Sequence, residues 1–405
     1  MDSVRNPYTP NAGARPDVIV GREEQTQAFE VLLHRLERGR TSQSLIITGL
    51  RGVGKTVLLN ELGEIATKRS WEVVEIEASK YDDAAFRRTL ASKLKAALLK
   101  ISPRSRWTGR FESAARALTS FSVSVDAQGG WSLGWDVPVA EGVADHGDLS
   151  MDLTDLLEGL GEAAKEASRG IVLSIDEVQF LRKEQLEALI QAIHKTVQRK
   201  LPITFVGAGL PQIAELAGDA KSYAERLFKF PVIGSLGQKE AEEAISGPAE
   251  LEDVEWDELA LKYAVATTKG YPYFIQELGF QAWEVAVGDS ISLEAVQDAV
   301  ETYEAKLDSS FFRVRLDRAT PLQTAYMRAM AQLGPEPQKA ADVAHVMGRE
   351  STQLGPTRAE LIDMGLLYTP EHGYAAFTVP DFDRYMMRAV KTLVVPEPRN
   401  RRKRK

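Results

Sequence analysis

Residues Gly49 to Thr56 read GLRGVGKT, which fits the spacing G-x-x-x-x-G-K-[ST]. Gly49, Gly52 and Gly54 let backbone N–H groups turn inward as an anion cradle, with Arg51 and Val53 between them. A helix opening at Thr56 and Val57 adds the positive end of its dipole. In such a loop Lys55 reaches the β- and γ-phosphates of a nucleotide, and the Thr56 hydroxyl suits a magnesium ion. The chemistry indicated is binding of ATP with Mg²⁺. A second set of residues lies in IVLSIDEVQ, where an apolar run ends in two carboxylates. By role, Asp176 holds the metal through water and Glu177 polarises an attacking water as general base.

These residues need a scaffold that brings two chain segments together. Leu45-Ile46-Ile47, Trp71–Ala78, Ile171–Ile175, Pro202–Gly207 and Phe230–Leu236 are short and apolar, and helical patterns separate them. Strands alternating with helices predict an α/β P-loop NTPase fold, a parallel five-stranded sheet with helices on both faces. That core is expected over residues 18–236, behind a polar N-terminal segment at 1–17. Beyond Leu236 strand signals stop until Tyr368, so 237–319 is read as a helical lid. Residues 320–392 read as three helices and a hairpin turning near Glu371-His372-Gly373, the outline of a winged helix, and 393–405 as a basic tail.

About Ile101 to Ser150 the core carries an insertion. Phe121, Val123 and Val125, then Trp131, Leu133, Trp135 and Val137 across Gly129-Gly130, alternate as a hairpin with one apolar face. That face either packs internally or meets a partner. Just before it, RSRWTGR places three arginines around Trp107, a solvated loop or a nucleic-acid contact.

The 405 residues include no cysteine, which removes disulfides, thiolate nucleophiles and cysteine metal sites. The five histidines are scattered, without a metal-ligand spacing. No apolar run approaches a membrane span and the N-terminus lacks a signal-like apolar region, so no membrane is expected and a cytoplasmic location is. Net charge is −8 although six of the last seven residues, Arg399 and Arg401–Lys405, are basic. The body is therefore more acidic than the total suggests. In the winged-helix region acids outnumber bases, and Arg358 is the only base on its third helix, whereas a reader of duplex DNA normally has a basic footprint there.

Taken together, VGRE at 20–23, GLRGVGKT, IDEVQ at 175–179, FVGAGLP at 205–211, AERLFKFPVIGSL at 224–236 and GYPYF at 270–274 resemble an AAA+ ATPase of the origin-recognition and archaeal-ATPase type, related to the STAND signalling ATPases. The resemblance covers nearly the whole chain. It implies that Val20 and Gly21 lie against adenine, and that Tyr271 and Pro272 belong to a Gly-x-Pro element by which the lid touches the core. It also implies that Arg226 acts catalytically as an arginine finger on a neighbouring subunit's γ-phosphate, unless it simply pairs with Glu225 or nearby acids. Two departures stand out. The fourth strand ends Gly207-Ala208-Gly209 where the pattern has Asn, Ser or Thr, and the lid shows no convincing sensor arginine. Both point to slow turnover.

The expected function is an ATP-binding, slowly hydrolysing nucleotide switch that assembles as a homo-oligomer and associates with DNA through its winged helix and tail. The alternative is a STAND-like signalling or defence ATPase whose winged helix docks a protein partner.

Overall fold

The computed structural model describes residues 1–79, 82–107, 109–123 and 133–397. The chain divides into two units: Val20–Gly49 with Gly54–Ile233, and Met1–Ile19 with Leu50–Val53 and the residues from Gly234 onward. Among the described residues no helix is long and apolar enough to cross a membrane.

The first unit is built on a five-stranded parallel sheet in the order β2-β3-β4-β1-β5. Its strands are β1 (Ser44–Thr48), β2 (Glu72–Glu77), β3 (Ile171–Asp176), β4 (Ile203–Gly209) and β5 (Phe228–Lys229). Central strands β1 and β4 are buried at every residue, as a sheet covered on both faces requires. Edge strand β2 instead alternates, with Glu75 and Glu77 less buried than Val74 and Ile76; charge on an edge discourages pairing with other chains. Register is fixed by pairs such as Ile46–Gly207, Val74–Leu173 and Ser44–Phe228. Around the sheet run α1 (Glu23–Glu37), α2 (Lys55–Lys68), α3 (Asp83–Ile101), α4 (Arg110–Val123), α5 (Leu149–Glu166), α6 (Lys183–Gln198), α7 (Ile213–Ala220) and α8 (Ala224–Leu227).

The predicted five-stranded parallel sheet is therefore present, with one shift. The fifth strand begins at Phe228 instead of Phe230 and is two residues long. Pro231 has no N–H to give the ladder; its carbonyl accepts from Thr48 N at 2.8 Å, and pairing thins to a single bridge between Thr48 and Val232.

The insertion corrects the sequence reading more strongly. Phe121 and Val123 lie in α4, not in a hairpin. Phe111, Ala114, Ala115, Leu118 and Phe121 recur with the helical period and are buried, while Val123 is 53% exposed. Val125, Gly129, Gly130 and Trp131 lie outside the described residues. Leu133 is buried, and Trp135 packs edge-on against Trp107 at 5.7 Å and donates from Nε1 to Thr119 Oγ1 at 3.2 Å. Trp107 is thus a core side chain, its Nε1 bonded to Ser102 O at 2.8 Å, and not a nucleic-acid contact. A buried ion pair, Arg87 to Asp152 at 2.8 Å, ties α3 to α5.

The second unit is mostly helical. In chain order it holds α9 (Gln238–Glu250), β6 (Glu255–Trp256), α10 (Glu258–Thr268), α11 (Pro272–Val285), β7 (Ser290–Ile291), α12 (Leu293–Lys306), a π-helical turn at Leu307–Phe312 and α13 (Arg313–Leu316). Strands β6 and β7 pair in parallel where the sequence predicted none; two residues each are too few for a periodic signal. There follow α14 (Pro321–Leu333), β8 (Gln338–Lys339), α15 (Ala340–Val346), α16 (Ser351–Asp363), β9 (Leu367–Tyr368), β10 (Tyr374–Phe377) and α17 (Phe382–Ala389). The strands form an antiparallel sheet in the order β8-β10-β9, and the β9–β10 turn spans the expected Glu371-His372-Gly373. Ring contacts run from Tyr273 through Phe311 and Phe312 to Phe382 and Tyr385, joining α11 and the π-helical turn to α17.

The N-terminal segment is polar in sequence yet is strapped to α9, β6 and α11. Tyr8 is 1% exposed; its hydroxyl donates to Ile245 O at 2.5 Å and accepts from Trp256 Nε1 at 2.9 Å. Trp283 Nε1 donates to Asp2 O at 2.9 Å, and Asn6 Nδ2 to Phe280 O at 3.2 Å. Tyr8→Ala should lower unfolding stability by about 3–5 kcal/mol through the cavity it leaves. Tyr8→Phe should lower it by about 1–3 kcal/mol by stranding Ile245 O and Trp256 Nε1. Denaturant unfolding of the two variants beside the parent checks both.

Candidate nucleotide site

Parallel strands with helical crossovers deliver their carboxyl ends, and the loops after them, to one edge of the sheet, where ligands of such folds bind. Here β1 runs into the glycine-rich loop and β3 ends at Asp176. Gly52 and Gly54 take left-handed conformations, φ +86° and +87°, which only glycine adopts at little cost. Gly54 caps α2, and Gly49 N–H donates to Gly209 O at 3.2 Å. Lys55 is buried, 8% exposed, at the first turn of α2, with Thr56 and Val57 following it.

The two motifs meet in the first unit. Thr56 Oγ1 donates to Asp176 Oδ2 at 2.6 Å. The other oxygen of the carboxylate, Oδ1, accepts from Glu177 N–H at 2.7 Å. Glu177 sits at φ 53°, ψ 40°, a left-handed conformation that costs a non-glycine residue of order 1–2 kcal/mol and is held here by a turn at Val178–Phe180. Its carboxylate accepts from the amide nitrogen of Gln179. A hydroxyl and a carboxylate are hard oxygen donors, and Mg²⁺ held largely by water and phosphate needs only one or two protein groups, so the residues present fit that ion.

In the second unit the tip of the same loop is held from two sides. Tyr271, at the N-cap of α11, donates its hydroxyl to Arg51 O, and Tyr273 N–H donates to Gly52 O at 3.1 Å. Arg51 N–H donates to Thr378 O at 3.1 Å and Arg51 Nε to Gly365 O at 3.2 Å, both at the base of the β9–β10 hairpin. Pro272 is the first residue of α11, where its missing N–H is no loss. Close to this tip lies Arg315, 4.1 Å from the ring centroid of Phe311 and bonded to Phe311 O. Burial, and after it the charge of Arg51, presses the Arg315 guanidinium down to about 10. Burial likewise pushes the Tyr273 phenol up to about 12 and that of Tyr271 higher still.

Three residues the sequence reading did not use thus belong to the picture. Gln179 stands in IDEVQ; Tyr273 stands next to the expected Tyr271 and Pro272; Arg315 is a partly buried arginine beside Arg51. Nothing in the spacing of FFRVRL distinguishes Arg315 from Arg313, which points outward and is exposed. Val20 is buried and Gly21, φ +66°, donates its N–H to Glu23 Oε1 at 3.0 Å. Arg226 is exposed beside Glu24, Arg35, Gln43 and Lys229 in an open cavity of about 700 Å³, and among the described residues it enters no ion pair.

Thr56→Ala should remove one of the bonds to Asp176 and lower unfolding stability by about 1–2 kcal/mol, whereas Thr56→Ser should be near neutral. Thermal unfolding without nucleotide separates the two.

Residues 18–206 match the family described as AAA ATPase domain, and residues 309–386 match one described as domain of unknown function (DUF8462). Over 365 residues, 88% of this chain and 85% of the relative, the sequence is 22% identical to an uncharacterised HTH-type transcriptional regulator of Methanocaldococcus jannaschii. Among solved structures the chain is similar to the Thermotoga maritima RuvB Holliday junction branch migration motor, at 17% identity and TM-score 0.47 over 95% of this chain and 99% of that one. It is also similar to the Aeropyrum pernix ORC1 protein in complex with DNA, at 16% identity and TM-score 0.45 over 92% and 94%. The first family match falls on β1 to β3, the start of β4 and the glycine-rich loop described above.

Proposed function

We propose that the chain is an ATP-dependent switch: it binds ATP with Mg²⁺, hydrolyses it slowly, and passes the nucleotide state to a DNA-associated C-terminal domain. The observation that carries this reading is the double hold on Arg51 and Gly52, by Tyr271 and Tyr273 on one side and by Gly365 and Thr378 on the other. A loop that closes on phosphate cannot move its tip without disturbing these bonds.

Within the reaction, Lys55 neutralises the β- and γ-phosphates, and Thr56 and Asp176 hold Mg²⁺, which supplies charge stabilisation to the phosphoryl group. Glu177 takes a proton from water; the water oxygen bonds to the γ-phosphorus as the bond to the β,γ-bridging oxygen breaks, leaving ADP and phosphate. Arg226, exposed and outside any ion pair, suits a contact to the γ-phosphate of a second copy. Lys55→Ala should abolish ATP binding, and Glu177→Gln should keep binding while losing turnover at least tenfold. In the full chain, Mg-ATP should alter amide exchange at residues 365–378, and not in Lys55→Ala. Unaltered exchange with ATP bound would overturn the switch.

Association with DNA is supported by the order helix, strand, two helices, two strands over residues 321–377, which is that of a winged helix, and by the HTH-type description of the archaeal relative. Arg358, the one base on α16, bonds inward to Tyr374 O at 2.6 Å and Thr369 Oγ1 at 3.3 Å, so sequence-independent phosphate contacts fall to the tail, Arg399–Lys405, which lies outside the described residues. Binding of the full chain to nonspecific duplex should weaken steeply with salt, and deletion of 399–405 should flatten that dependence. No binding at low salt would favour a winged helix that docks a protein.

A further inference from the structure

We infer that Gln179 is the positioning residue for Glu177, supplying from the turn after β3 the polar contact that β4 cannot make. This rests on Glu177 being the general base, as proposed above. The last residues of β4, Gly207-Ala208-Gly209, carry no polar side chain, and β4 lies between β3 and the loop-bearing β1. Gln179 fills that gap. Its Oε1 accepts from Leu210 N–H at 3.0 Å, just past the end of β4, and its Nε2 donates to Glu177 Oε2. The backbone donor at Leu210 fixes the amide's orientation, because an N–H facing that site would meet another N–H; the amide nitrogen is thereby turned to the carboxylate.

The neighbouring glycine fits the same arrangement. A Cβ added to Gly209 would stand 2.8 Å from Gln179 Oε1, closer than such atoms pack. A side chain at the end of β4 would therefore push the Gln179 amide aside. Gln179 also acts on a strained neighbour: Glu177 is left-handed, and a bond to its side chain from two residues on limits where the carboxylate travels. The effect expected is on turnover, since Gln179 touches the base and neither phosphate loop nor lid.

The test is steady-state ATP hydrolysis by the full chain with Mg²⁺, together with a fluorescent ATP analogue for binding and a melting curve for integrity. Gln179→Ala should lower kcat about tenfold with KM within twofold of the parent. Gln179→Glu keeps the size and the acceptor for Leu210 N–H but loses the donor and adds a charge, so it should lose kcat at least as much while melting with the parent. Gly209→Ala, which displaces the amide without altering it, should lower kcat in the same direction. Parental kcat in Gln179→Glu would show that the residue only ties down β4 and would overturn the inference, as would a rise in kcat in Gln179→Ala. If Glu177→Gln retains turnover, the base assignment fails and this inference with it. Turnover lost in Glu177→Gln but parental in Gln179→Ala sinks the inference alone.

Discussion

A backbone turned inward to hold phosphate leaves its outward carbonyl and amide groups needing partners, because buried peptide groups left unbonded are costly. In this chain the partners at the loop tip are two tyrosines at the start of α11 and two carbonyls at the base of the β9–β10 hairpin. Tyr273 must reach Gly52, so α11 begins there, and its ring stacks 4.3 Å from Phe311 in the π-helical turn. From Phe311 the rings continue through Phe312 to α17. Lid, linker and C-terminal elements are thereby joined to four residues of loop by packing as well as by hydrogen bonds.

The electrostatics point the same way. The ion pairs Lys269–Asp381 and Arg388–Asp308, at 2.7 and 2.6 Å, link the lid side to α17 but stand partly in solvent, where such pairs contribute about 0–1 kcal/mol each. Arg51 and Arg315 are different: two cations share a partly buried neighbourhood, with carbonyls and aromatic rings around them.

How much of this was legible beforehand depended on the length of each signal. The phosphate loop and the β3 carboxylates were readable because their residue types follow from chemistry and their spacing from a strand-to-helix turn. The sheet was readable because strands buried on both faces are continuous apolar runs, as in Ile171–Ile175. The hairpin in the insertion failed because Phe121 and Val123 are two positions apart in a helix whose earlier residues, Phe111, Ala114, Ala115 and Leu118, carry the real period. Two-residue strands such as Glu255–Trp256 lie below any periodic signal. Gln179 and Arg315 were invisible for another reason: each matters through a residue distant in sequence, Leu210 at the end of β4 for one and Arg51 for the other.

The N-terminal strap sets an order of events during synthesis. Tyr8 and Asp2 bind residues 237, 248 and 281 positions downstream, at Ile245, Trp256 and Trp283. At translation rates of about 5–20 residues per second, those partners are made roughly 10–60 s after the strap. By the end of that interval the sheet of the first unit has all its strands in hand while the strap still waits. The strap thus finds its place later than segments made after it, because Tyr8 has nothing to bind until α9 and Trp256 exist.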